Sequence, residues 1–163
     1  GALIVLERSV GLKNIAETGT SIDGRVSSQL LITIFTPPGP LHDGAVIISG
    51  KQVAAAGCIL PLSQNPRLAY ALGTRHRAAL GMSEESDAVV IVVSEETATI
   101  SVVMAGEMTR DLDAPRLRVV LRDLFTRGER EPEAGEQPTE KVAEKKPAGD
   151  KGPAGATGAV GTR

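Results

Sequence analysis

The sequence is short of aromatic residues, has one cysteine and contains no long apolar run. Phe35, Tyr70 and Phe125 are its only aromatics, which argues against the stacking platforms that bind single-stranded nucleic acid. Cys58 stands alone, so neither an intrachain disulfide framework nor a cysteine-rich zinc site can form. Nothing approaches the roughly 18 apolar residues of a membrane-spanning helix. The opening Gly-Ala-Leu-Ile-Val-Leu runs straight into Glu7-Arg8, unlike a signal peptide. Charge of either sign is also not in excess. The 18 Lys and Arg face 20 Asp and Glu, a net charge of -2, too even for a surface that grips nucleic acid or anionic lipid throughout. Gly-x-x-x-x-Gly-Lys-Ser/Thr and Gly-x-Gly-x-x-Gly loops are missing, as is a His pair at metalloprotease spacing. Any nucleotide must be held by another route.

Large apolar residues run out near residue 127. Beyond it only Val142 and Val160 remain, so the folded unit is expected over residues 1–127, enough chain to bury a core without staples. Residues 128–148 mix Glu, Lys, Pro and Ala without periodicity, as a disordered linker does. Gly then recurs at 149, 152, 155, 158 and 161, giving Gly-X-Y triplets through residue 163. A collagen-like stub and a flexible low-complexity end both fit this pattern. A single proline, Pro153, in so few triplets favours the second.

Within the folded unit, apolar residues 2–6 predict a strand. Residues 13–25 are polar and Gly-punctuated, a loop with room for one short strand. Ser27 or Ser28 caps a helix carrying Leu30, Leu31, Ile34 and Phe35, which Pro37-Pro38-Gly39-Pro40 stops. Residues 45–49 and 52–59 predict a hairpin around Gly50-Lys51. Asn65-Pro66 opens a helical segment to about Leu72. Thr74 caps another, from Arg75 to about Leu80. Strands are expected at 89–94 and 99–104. Asp113 caps a final helix with Pro115 in its first turn and an apolar face of Leu117, Val120, Leu121, Leu124 and Phe125. Several links are too short for a parallel crossover, so the fold class is α/β, a mixed central sheet flanked by helices. Cys58 and Tyr70 read as packing residues.

Three polar clusters interrupt this pattern. Leu41-His42-Asp43-Gly44-Ala45 precedes a strand, and by itself is an Asp-Gly turn or a place where His42 and Asp43 converge. Gly73-Thr74-Arg75-His76-Arg77 puts two guanidinium groups in a first helical turn, where the dipole favours anions. Either a polyphosphate sits among them or they form a solvated face paired with acids such as Glu84 or Glu85. Ser94-Glu95-Glu96-Thr97, at a strand end, is a charged hairpin turn or an oxygen-rich cation site.

Together, His42-Asp43-Gly44-Ala45, Leu60-Pro61-Leu62-Ser63, Gly73-Thr74-Arg75-His76-Arg77-Ala78-Ala79 and Ser94-Glu95-Glu96-Thr97, in that order and spacing, resemble the diadenylate cyclase family over residues 1–125. That family condenses two ATP into cyclic di-AMP and two pyrophosphates. The resemblance implies that Asp43 lies near the ribose 3′-hydroxyl and that Gly44 lets the backbone approach the nucleotide, with Ala45 in the same motif. It implies that Leu60 meets the adenine, that Gly73, Thr74, Arg75 and Arg77 surround the phosphates with His76 locking the turn, and that Ser94 and Glu95 border them. His42, Asp43 and Glu96 match positions associated with a divalent cation, Mg²⁺, Mn²⁺ or Co²⁺.

Residues 2–8 and 27–41 resemble the membrane-associated type, whose cyclase domain sits in the cytoplasm behind membrane helices. Those helices would lie upstream of Gly1. A homodimer, a YbbR-domain regulator and a phosphoglucosamine mutase are the partners this implies. The DNA-scanning branch carries a DNA module after its cyclase, where this chain has a polar tail, so no nucleic-acid partner is expected. Two positions depart from the pattern: Ile59 stands where Tyr is frequent, and Ala98 where Gly is common. The rival reading is a non-catalytic dimer that senses an adenine nucleotide.

Overall fold

A computed structural model of the protein describes residues 1–65 and 72–128. The helical segment expected after Asn65 falls almost wholly outside those residues, Tyr70 with it, as does the tail from residue 129. The elements in order are β1 (Ala2–Leu6), α1 (Lys13–Ala16), β2 (Thr20–Arg25), α2 (Ser28–Phe35), β3 (Ala45–Ser49), β4 (Gln52–Cys58), α3 (Thr74–Glu85), β5 (Val89–Val93), β6 (Ile100–Met104), β7 (Glu107–Leu112) and α4 (Ala114–Gly128).

Seven strands form one sheet in the order β2-β4-β3-β1-β5-β6-β7. β1 and β3 run parallel, and every other pair is antiparallel, the mixed sheet expected. The central strands β1, β3 and β5 are apolar at every position but Ser49, because both faces are covered. Leu3, Val5, Ala45, Ile47, Val90 and Val92 face the side where α1 and α3 pack. Val46 and Ile48 face α2, whereas Val89 and Ile91 face α4. Burying each such side chain contributes about 1.5–3 kcal/mol before entropy is counted.

The caps follow the sequence. Leu30 N donates to Ser27 Oγ at 3.2 Å, and Arg116 N donates to Asp113 Oδ1 at 2.8 Å. Leu117, Val120, Leu121 and Leu124 pack on the sheet, but Phe125 stays partly exposed, its ring 5.9 Å from the Arg8 guanidinium carbon. Four expectations need correction. Residues 13–25 hold the short strand allowed for, β2, but Lys13–Ala16 are the helix α1 and not loop. Thr74 is the first helical residue, and the N-cap is Gly73, which offers no side-chain acceptor. Residues 107–112 form an unexpected edge strand, entered through Ala105 and Gly106, both at positive φ. And α3 does not stop at Leu80 but runs through Gly81 to Glu85.

Gly81 is there for closeness. A Cβ at that position would strike the Pro61 carbonyl oxygen and lie 2.6 Å from Ser63 N. The Leu60-Pro61-Leu62-Ser63 segment thus lies directly on α3. Ser63 N donates to Arg77 O at 3.0 Å, and Ser63 Oγ donates to Glu84 Oε1 at 2.8 Å. Because the clashing atoms are backbone, Gly81→Ala is expected to cost about 3 kcal/mol and to lower the melting temperature by about 10 °C. A thermal melt within 2–3 °C (roughly the shift of under 1 kcal/mol) would show that the segment can lift off.

Candidate active site

Register alone gathers the polar clusters. Ala2 pairs with Val93, Ala45 with Cys58, Val93 with Ile100, and Ile100 with Leu112. The starts of β1, β3 and β6 and the ends of β4, β5 and β7 therefore share one end of the sheet. The turns attached there carry Asp43-Gly44, Ile59-Leu60 and Ser94-Glu95-Glu96, and the N-terminus of α3 faces them.

Two adjoining cavities open at that end. One, of 350 Å³, is mainly apolar; Gly44, Gly57, Cys58, Ile59, Leu60 and Leu62 form much of its wall, with Asp43 at its edge. The other, of 380 Å³, is polar and is lined by Gly73, His76, Ser94, Glu95, Glu96 and Arg110 among others. Thr74 and Arg75 line both. In the first turn of α3 the backbone N–H groups have no intrahelical acceptor, so the junction offers donors as well as charge.

Arg75 organises the junction. Its Nη1 lies 2.8 Å from Glu95 Oε2, and its Nη2 lies 3.8 Å from Asp43 Oδ1. The guanidinium side chain is 23% exposed, whereas that of Asp43 is 90% exposed. Gly44 adopts φ +118°, and a Cβ there would fall 2.7 Å from the Gly57 carbonyl carbon. Its smallness first serves the β3–β4 packing, and the same close approach shapes the apolar cavity. Thr18 steadies that cavity's rim, its Oγ1 accepting from Ile59 N at 2.9 Å. Ile59 itself is 72% exposed.

The turn between β5 and β6 is closed by Ser94 N to Thr99 O at 3.0 Å and Ala98 N to Ser94 O at 3.1 Å. Ala98 takes φ +55°, a left-handed conformation that costs a non-glycine residue about 1–2 kcal/mol. Ala98→Gly relieves that strain, against a smaller entropic loss. A gain of about 0.5–1 kcal/mol in a denaturant titration is expected; a net loss would show that the strain is carried elsewhere.

His76 is buried against the polar cavity, its Nε2 without a partner among the described residues. Burial first, and the Arg110 charge second, push its pKa below the ordinary 6.5. The ring therefore stays neutral, and its contribution to stability is full above pH 6.5 and declines as the pH falls below that. Cys58 sits in the core as expected, with burial raising its thiol pKa against a lowering hydrogen bond from the Gly19 backbone.

Some expected site residues are not brought together. Ala45 is fully buried and lines neither cavity. Arg77 lines neither, and its buried Nε has no partner among the described residues. His42 lines neither cavity, and its Nδ1–H donates to Gly39 O, fixing the turn that presents Asp43. Glu96 and Asp43 fall in different cavities, and no group of three or more His, Cys, Asp or Glu among the described residues could by itself hold a metal ion. A cation of the Mg²⁺ kind still fits, since it takes one or two carboxylates and completes its shell with phosphate oxygens and water. Arg110 and Thr99 line the polar cavity unforeseen.

An apolar slot joined to a guanidinium-lined polar pocket has the shape and polarity of a nucleotide, base at one end and phosphates at the other. The comparisons agree with that class. A family model described as DisA bacterial checkpoint controller nucleotide-binding (DAC) matches residues 1–108. The diadenylate cyclase of Listeria monocytogenes serotype 1/2a (strain 10403S) is 52% identical over 127 residues, 77% of this chain and 46% of that protein. The cyclic di-AMP synthase CdaA of Bacillus subtilis (strain 168) is 47% identical over 131 residues, 80% of this chain and 48% of that one. A crystal structure of a double cysteine mutant of DacA from Staphylococcus aureus superposes with a TM-score of 0.73 at 48% identity, covering 76% of this chain and 83% of that one. The chain belongs to the diadenylate cyclase (DAC) family, and it spans about half the length of the curated relatives it matches.

Proposed function

We propose that this domain condenses two ATP into cyclic di-AMP and two pyrophosphates. The observation that carries the reading is the junction at Thr74 and Arg75, which joins an apolar slot beside Asp43 to a polar pocket holding Ser94 and Glu96. With adenine in the slot near Leu60, the α-phosphate falls at the junction and the outer phosphates enter the polar pocket. The 3′-oxygen of one ATP attacks the α-phosphorus of the other. A P–O bond forms, the bond to pyrophosphate breaks, and the hydroxyl proton leaves on the Asp43 side. The same step in the opposite sense closes the ring.

Carboxylates are weak bases for an alcohol, so Asp43 orients the hydroxyl and takes up its proton as charge develops. Arg75 offsets phosphate charge and holds the α-phosphate in line. Glu96 is the side chain that would hold a divalent cation, Mg²⁺, Mn²⁺ or Co²⁺, together with phosphate oxygens. Bound there, it would supply charge neutralisation to the phosphates and the leaving pyrophosphate.

One domain has one such site, so the reaction takes two copies face to face. No helix among the described residues is long and apolar enough to cross a membrane. The structural likeness to a hypothetical membrane spanning protein from Bacillus cereus (TM-score 0.66, 44% identity, 69% of this chain and 55% of that one) supports association with a membrane through segments outside this one. Incubation with ATP and Mn²⁺ followed by mass detection is expected to yield cyclic di-AMP. Stoichiometric ATP binding with no product would leave the sensing dimer as the better reading.

A further inference from the structure

We propose that Arg110, on the edge strand β7, clamps the outer two phosphates of ATP and holds pyrophosphate as it leaves. The inference rests on the nucleotide reading above. Arg110 lines only the polar cavity, whereas Thr74 and Arg75 line both. Along a nucleotide lying across the two cavities, Arg110 therefore meets the end farthest from the base, beyond the α-phosphate.

Two further observations point the same way. Arg75 already engages Glu95 and approaches Asp43, but Arg110 has no ion pair among the described residues. It is a charged group lining a polar cavity with no partner of its own there. The strand's alternation also places it. Met108 packs on the face of the sheet that carries α3, and Leu112, four residues on, packs on the opposite face against α4. An unbroken strand would send both to one side. The break is a register shift between Ile100 and Val102, facing Asp111 at φ +57°. The bulge turns Leu112 away, while Arg110, two residues past Met108 and before the break, keeps the face that carries α3 and lines the polar cavity together with His76. The depressed pKa of His76, to which the Arg110 charge contributes after burial, is consistent with that closeness. A neutral imidazole adds no second charge, so the guanidinium is the cation offered on this wall.

A guanidinium forms paired, charge-assisted hydrogen bonds with phosphate oxygens, so losing it is expected to weaken ATP binding about tenfold or more. The test is calorimetry of the whole chain with ATP, AMP and inorganic pyrophosphate, on the unsubstituted protein, Arg110→Ala and Arg110→Lys. Expected is a loss of ATP and pyrophosphate affinity in Arg110→Ala, AMP affinity within about twofold, and partial recovery in Arg110→Lys. A thermal melt confirms that Arg110→Ala is folded. If the unsubstituted protein binds ATP and pyrophosphate and Arg110→Ala binds them equally well, the clamp is wrong and the nucleotide reading stands. If ATP and AMP affinities fall together, Arg110 acts through the shape of the site and the clamp is again wrong. If the unsubstituted protein binds none of the three, both fail.

Discussion

Asp43→Asn is expected to cut cyclic di-AMP synthesis by about a thousandfold, the middle of the range for a lost proton acceptor, while leaving the fold intact. Asp43 sits on a turn whose shape is held by other groups, the His42 ring on Gly39 O and the conformation of Gly44. Its own carboxylate is 90% exposed, and its ion pair to Arg75 spans 3.8 Å. An exposed pair of that length adds little to stability. Asparagine keeps the size and one carbonyl oxygen, but it can neither take up a proton nor carry charge beside a developing alkoxide. Loss of kcat with ATP affinity held within a few-fold and an unchanged melting temperature is therefore the expected pattern. Near-normal synthesis would remove Asp43 from the chemistry, and a collapse of the melt would make it a structural residue.

The fold was legible in the sequence wherever burial is two-sided or a cap is local. Residues 2–6, 45–48 and 89–93 are unbroken apolar runs, which a central strand covered on both faces requires. Ser27 and Asp113 announce helices because their acceptors serve N–H groups three residues on. Gly81 misleads for a tertiary reason: it reads as a stop, yet it admits the Pro61–Ser63 backbone, and only the packed structure reveals that. β7 is polar because it is a sheet edge, so its alternation is faint, and the bulge at Asp111 breaks what there is. In the site, each motif was legible but not the direction of each side chain. Ala45 follows Gly44, yet its methyl turns into the core as the strand begins. Arg77 lies two residues past Arg75, about 200° around the helix, so one guanidinium meets the junction and the other does not. Arg110 carries no local signal, since its place depends on the pairing of β6 with β7.

Product formation per chain is expected to fall steadily on dilution and to vanish below the range in which the domain self-associates, while ATP binding persists. The reason is stoichiometric. Among the described residues there is one Thr74–Arg75 junction with one apolar slot beside Asp43, which on the proposed reading takes one nucleotide, and cyclic di-AMP needs two 3′-oxygens and two α-phosphorus atoms. A single ATP has one 3′-oxygen and one α-phosphorus and cannot supply both linkages. A second copy related by a two-fold axis presents its α-phosphorus to the first copy's 3′-oxygen and the reverse, with no further residue types needed. The slot's rim is dressed for such a meeting, because Ile59 is 72% exposed and Leu62 beside it 38%. Initial rates measured alongside sedimentation across the same concentrations check this. A constant rate per chain well into the monomer range would mean that one copy holds both nucleotides, and the single-slot geometry would then be wrong.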